Sequence, residues 1–215
     1  MLTHLPNMPA LLEKLDCSRN MIDELPPMPD TLQQLWCGHN HLITLPSLGT
    51  CITILVCSNN RITTIVNNLP DTIQHLNVFG NAIVTLPVRL PFALEEFNCG
   101  RNQITCLPIL PEGLEMLYCF TNKLEGLPEK LPKSLMFFDC SYNPFYTAHP
   151  RNRGETVDRY HIRLMATIEQ ERRERCITRN RIMKEDLMIR FWDPMRNPNI
   201  LYWIEADCGG PGDYI

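Results

Sequence analysis

From Leu12 to Phe145 the apolar positions return in one fixed order. Aligned on Asn20, Asn40, Asn60, Asn81, Asn102, Asn122 and Asn143, the chain repeats in steps of 20, 20, 21, 21, 20 and 21 residues. Eight residues before each asparagine stands Leu12, Leu32, Ile52, Ile73, Leu94, Leu114 or Leu135, and five before stands Leu15, Leu35, Leu55, Leu76, Phe97, Leu117 or Phe138. Three before stands Cys17, Cys37, Cys57, Val78, Cys99, Cys119 or Cys140. Two and five residues after it the chain is apolar again, and proline often follows (Pro26, Pro46, Pro87, Pro108, Pro128). Positions five and three before the asparagine are separated by one residue, so on a strand they share a face. The pattern therefore predicts one short strand per unit. No unit can bury its apolar side alone, so the strands must stack in parallel about 4.8 Å apart. Proline fixes φ and donates no hydrogen bond, so the return path is expected to be extended rather than helical.

Asparagine turns the chain after each strand, where its side-chain amide can satisfy backbone groups of the turn and the next coil. Cysteine behaves as a small buried hydrophobe in the slot before it. The alternative, a metal or redox ladder, needs several ligands converging on one point. One inward thiol per unit presents a line instead, and Val78 fills the same slot without sulfur. No metal or cofactor is expected, and the six histidines form no ligand pattern.

Composition changes this picture in two places. The 215 residues include 18 prolines and 10 cysteines, with a formal net charge of −4. That balance makes no case for nucleic acid or an anionic membrane. No C-x-x-C pair occurs, the N-terminus lacks the pattern of a signal peptide, and no apolar run is long enough to span a bilayer. A reducing, intracellular setting is the expectation.

The spacing L-x-x-L-x-L-x-x-N-x-L, seen for example in "LEKLDCSRN" and "LQQLWCGHN", resembles the leucine-rich repeat family. The resemblance covers Leu2 to about Phe145, with "LTHLPNMPALL" as the second half of a truncated first unit. The short period and second proline (Pro29, Pro70, Pro91, Pro111, Pro132) resemble secreted bacterial effectors, and the "L-x-C-S-x-N" wording resembles repeat proteins of large DNA viruses. The resemblance implies a solenoid with a curved parallel sheet on the concave side and an extended, polyproline-like convex side. A C-terminal α-helical cap should follow. Residues 1–146 are expected to form the solenoid, and 147–215 the helical appendage.

In such a fold the residues between core positions face outward on the concave sheet. Trp36, Ile54, Val56 and Phe79 would form one apolar area; Met116, Tyr118, Phe120, Phe137 and Tyr142 would form another. The second could instead be covered by the chain's own C-terminal segment. Asp16, Glu95, Glu96 and Asp139 would make the face mildly acidic, within a region (1–150) that carries 8 Lys+Arg and 13 Asp+Glu. Beyond Pro150 arginines become dense and helical spacing sets in. Two helices are expected, about 156–175 and 178–192, or one kinked helix, then a short helix at "NILYWIEAD", with Phe145 and Tyr146 at the junction with the repeats. The basic stretch 151–184 brings no aromatic platform or nucleic-acid motif with it.

The leading functional expectation is a non-enzymatic protein–protein interaction module whose partner binds Trp36, Ile54, Val56, Phe79, Tyr118 and Phe120 on the concave face. The alternatives are a structural, virion-associated component of a large DNA virus, in host cytoplasm or the particle, and a ubiquitin-pathway adaptor or effector. The segment after the repeats is too short for the ligase domain that the effector resemblance would imply. Cys176 and Cys208 have no evident His or Asp partner. Self-association through an open sheet edge is a further expectation.

Overall fold

The structure, a computed structural model, describes residues 1–65, 69–128 and 130–190, with backbone alone for parts of the last helix. Seven three-residue strands run in order: β1 Lys14–Asp16, β2 Gln34–Trp36, β3 Ile54–Val56, β4 His75–Asn77, β5 Glu96–Asn98, β6 Met116–Tyr118 and β7 Phe137–Asp139. They form one parallel sheet in sequence order. Equivalent positions pair throughout, as Leu15 with Leu35 and Leu117 with Phe138. This in-register stacking is the solenoid that the periodicity predicts. The backbone ladder runs past the strands: Cys17 N–H donates to Trp36 C=O at 2.8 Å and Arg19 N–H to Gly38 C=O at 2.9 Å, and later units repeat both bonds.

The core is the interior of the coil. Leu35, Leu55, Leu76, Phe97 and Leu117 are buried with their neighbours Cys37, Cys57, Val78, Cys99 and Cys119. Cys17 and Cys140 are buried too, while Leu15 on β1 is half-buried. The six ladder cysteines are free thiols. Burial pushes Cys17 up to about 11 and Cys57 and Cys140 up to about 12, and raises Cys37, Cys99 and Cys119 as well. A thiol this hard to ionise is a poor nucleophile and a poor metal ligand.

The asparagines stitch units together in the direction opposite to the one expected. Each side chain bonds its own turn and the preceding coil, not the next. Asn102 accepts from Ile83 N–H at 3.0 Å through Oδ1. Its Nδ2 donates to Val78 C=O and Cys99 C=O, each at 3.0 Å. Asn40, Asn60, Asn81, Asn122 and Asn143 repeat the arrangement, and Asn20 accepts from Leu2 N–H. Asn40, Asn102, Asn122 and Asn143 are buried; Asn20, Asn60 and Asn81 are half-buried.

Each asparagine follows the first residue of its strand by six positions, whether the unit has 20 or 21 residues. The extra residue is therefore absorbed in the return path, where the described residues contain no helix. A second set of side chains braces that return. The hydroxyls of Thr31, Thr72 and Ser134 each donate to two carbonyls of the preceding unit, at 2.7–3.0 Å.

The chain divides into two compact units, Met1–His161 and Ile162–Ile215. In the first, the repeats end in helix α1, Pro144–Ala148, and the opening turn of helix α2, Val157–Arg190. Phe145 is buried, and Tyr160 has no exposed surface. The Tyr160 hydroxyl donates to His149 C=O at 3.0 Å and its ring meets Tyr146 edge-on at 6.1 Å. These residues close the last coil, as solenoid ends require. The described part of the second unit continues α2. Of the two expectations, two helices or one kinked helix, the structure has a single helix of 34 residues. Between Thr156 and Trp192 the sequence has no proline or glycine to end it. Trp192 and "NILYWIEAD" lie outside the described residues. No helix among the described residues is long and apolar enough to cross a membrane.

Candidate protein-binding face

Each strand's middle residue points into the core, so its two neighbours point out onto the concave sheet. In-register pairing aligns these neighbours into rows that cross the strands. The row at the strand starts reads Lys14, Gln34, Ile54, His75, Glu96, Met116 and Phe137; the row at the strand ends reads Asp16, Trp36, Val56, Asn77, Asn98, Tyr118 and Asp139. Two residues further on lies a third row: Ser18, Gly38, Ser58, Phe79, Gly100, Phe120 and Ser141.

Trp36 pairs in register with Val56, and Ile54 shares a strand face with Val56, so these three are contiguous. Phe79 makes its ring contact with Phe120, at 5.9 Å between centroids. Two units separate these rings, and the residue between them is Gly100. A Cβ there would lie 2.9 Å from the Phe120 ring, so only glycine leaves that ring room to lie across the gap. The Arg101 guanidinium caps the Phe79 ring at 5.7 Å. Tyr118 stacks on Phe137 at 5.0 Å, and its hydroxyl points at Met116 Sδ. All six residues expected to bind a partner are half-buried. Phe137 and Tyr142 are exposed. Beside Phe137, within the first unit, a cleft of about 300 Å³ is lined by Met136, Asp139, Cys140, Tyr146, Arg151 and Val157.

The acids of this face are partly structural. Asp16 accepts from Ser18 N–H at 2.9 Å and Asp139 from Ser141 N–H at 3.0 Å. Asn77 and Asn98 make the same turn with Phe79 and Gly100. The Ser18 N–H holds the Asp16 carboxyl below its ordinary range. Glu96 faces His75 at 3.3 Å.

The residue immediately before each ladder asparagine escaped the sequence reading. Arg19, His39, Asn59, Arg101, Thr121 and Tyr142 all have φ between 51° and 57°, and Gly80 has φ 66°. The turn thus needs a left-handed residue in every unit. Gly80 and Asn59 were the available signal, since these two types enter that region most readily. The hydroxyl braces at Thr31, Thr72 and Ser134 were also missed, because no apolar pattern marks them.

No protein-family model and no curated protein matches the chain. Solved structures do. YopM from Yersinia enterocolitica WA-314 is similar at 38% identity and TM-score 0.64, over 66% of this chain and 31% of that one. A Shigella effector LRR domain is similar at 29% identity and TM-score 0.57, over 61% of this chain and 59% of that one. YopM from Yersinia pestis, a leucine-rich effector protein, is similar at 30% identity and TM-score 0.56, over 66% and 46%. The chain spans less than two thirds of the length of each.

Proposed function

This chain is a leucine-rich repeat protein resembling bacterial effectors, and we propose that it is a non-enzymatic interaction module whose concave face binds a protein partner. The observation that carries the reading is the run of half-exposed apolar side chains along that face: Trp36, Ile54, Val56, Phe79, Tyr118 and Phe120. Tryptophan and tyrosine supply large contact area with few rotors to freeze, which is why they anchor interfaces. The rings are already held: Phe79 lies between Phe120 and Arg101, and Tyr118 lies against Phe137. Binding therefore freezes little side-chain motion, and burial of the apolar surface still exposed supplies the driving force. Free, buried ladder thiols suit a reducing, intracellular compartment.

The test is the double substitution Trp36→Ala with Phe79→Ala. Neither residue belongs to the core, so the folded spectrum should persist while partner capture from native cells is lost. Unchanged capture of every partner by the folded double mutant refutes the concave face as the binding surface.

A further inference from the structure

The concave face is flanked by two edges of opposite charge. Along the edge where strands begin stand Glu13, Glu95, Glu96 and Glu115, with Lys14 as the exception. Beyond the strand ends, the two rows that flank the ladder asparagines contain no acidic residue. They carry Arg19, Arg61, Arg101 and Lys123, all exposed. These hold half of the eight cations in residues 1–150, a region that is net acidic. Among the described residues none of the four has a carboxylate within salt-bridge distance, unlike Arg89, which pairs with Asp71.

The backbone under this ridge is fixed from both sides. Arg19 and Arg101 donate their N–H groups to the following unit at 2.9 Å; Arg61 and Lys123 donate theirs to the preceding unit at 2.8 and 2.9 Å. Arg19 and Arg101 sit in the left-handed region, which costs a residue with a Cβ about 1–2 kcal/mol. Glycine would relieve that cost, as Gly80 does in one unit.

We propose that the ridge Arg19–Arg61–Arg101–Lys123 binds an acidic, extended segment of the protein partner, a reading that rests on the concave-face function above. The ridge crosses six units, about 24 Å, which an extended peptide covers with about seven residues. Arg19, Arg61 and Arg101 stand two units apart, about 9.6 Å, which matches the roughly 10 Å between every third residue of an extended peptide. Phe79, capped by Arg101, offers a ring to an apolar residue between them. A polyphosphate chain or anionic bilayer fits worse, because each needs denser positive charge than four cations spread over about 24 Å.

The triple variant Arg19→Glu/Arg61→Glu/Lys123→Glu spares Arg101 and the Phe79 contact; circular dichroism checks its fold. The probes are a fluorescein-labelled decapeptide with Glu at every third position and Leu and Phe between, its Lys-substituted counterpart, a single-stranded 18-mer DNA, and phosphatidylserine vesicles. The acidic peptide should bind the native chain, weaken as salt rises, and lose roughly tenfold to hundredfold affinity on the triple variant. The proposal is overturned if the lysine peptide binds as tightly, if the triple variant binds the acidic peptide normally, or if DNA or vesicles bind more tightly than the peptide. A triple variant that still captures the native partner, beside a Trp36→Ala/Phe79→Ala variant that does not, sinks the ridge and leaves the concave face standing. The reverse result sinks the concave face.

Discussion

Replacing Asn102 with alanine tests the claim that the asparagine ladder couples one unit to the next. The native amide makes one acceptor bond to Ile83 N–H and donor bonds to Val78 C=O and Cys99 C=O, all at 3.0 Å. Gly100 C=O is a weaker fourth contact at 3.2 Å, shared by an amide with only two hydrogens. Each buried bond contributes about 1 kcal/mol net, so three bonds give about 3 kcal/mol. Ile83 has no exposed surface, so its N–H is left without water as well as without its partner. Urea unfolding followed by far-ultraviolet circular dichroism should show that loss as a lower midpoint. Asn20→Ala should cost about a third as much, because that amide is half-buried and its donors stay within its own turn. Asn102→Asp keeps the acceptor but aims a carboxylate at two carbonyl oxygens. Its folded pKa is raised, so its stability is fully present below the unfolded value and is lost as pH rises through the folded one. Less than about 1 kcal/mol lost by Asn102→Ala, or an Asn102→Asp chain equally stable at pH 4 and pH 7, refutes the stitching argument.

Two further outcomes concern the thiols. Cys99→Val should change stability by less than about 1 kcal/mol in the same assay, since Val78 already fills the equivalent slot; a cost above that means the sulfur makes a contact that valine cannot. Alkaline titration should also destabilise the chain. Burial raises Cys17 to about 11 and Cys57 to about 12, whereas an unfolded thiol ionises near about 8.5. The protonated thiols favour the fold below that unfolded value, and the advantage drains away as pH rises toward 11–12. The urea midpoint should therefore fall between pH 8 and pH 10.5, and fall less in a Cys57→Val/Cys99→Val chain; parallel slopes for the two chains overturn the assignment.

The solenoid was legible because its determinants are periodic. Leu15, Cys17 and Asn20 recur with their counterparts at fixed offsets, and a period-two alternation assigns the first two to the interior. The rows of the concave face follow from the same alternation, so Trp36 and Val56 could be placed side by side without coordinates. Contacts between rows could not. That Phe79 reaches Phe120 depends on what Gly100 lacks, and a missing side chain leaves no trace in a hydrophobic pattern. The direction of the asparagine bonds was misjudged because spacing is symmetric up and down the stack, whereas the turn is not. The left-handed positions hid because their occupants are Arg, His, Thr and Tyr, types that argue against that conformation when seen alone. The segment after the repeats was read as two helices or one kinked helix because a second apolar face begins at Ile177, but no proline or glycine there enforces a break.

The asymmetry between a strand side of constant spacing and a return side that absorbs the odd residue has an evolutionary corollary. Insertion or deletion on the outer wall is phase-neutral: it leaves every inner row in step with its neighbours. Whole units can be duplicated or lost with the same impunity. Lineages carrying this architecture are thus free to tune reach and outline by slippage of short genetic segments, while point changes on the inner wall adjust what is grasped.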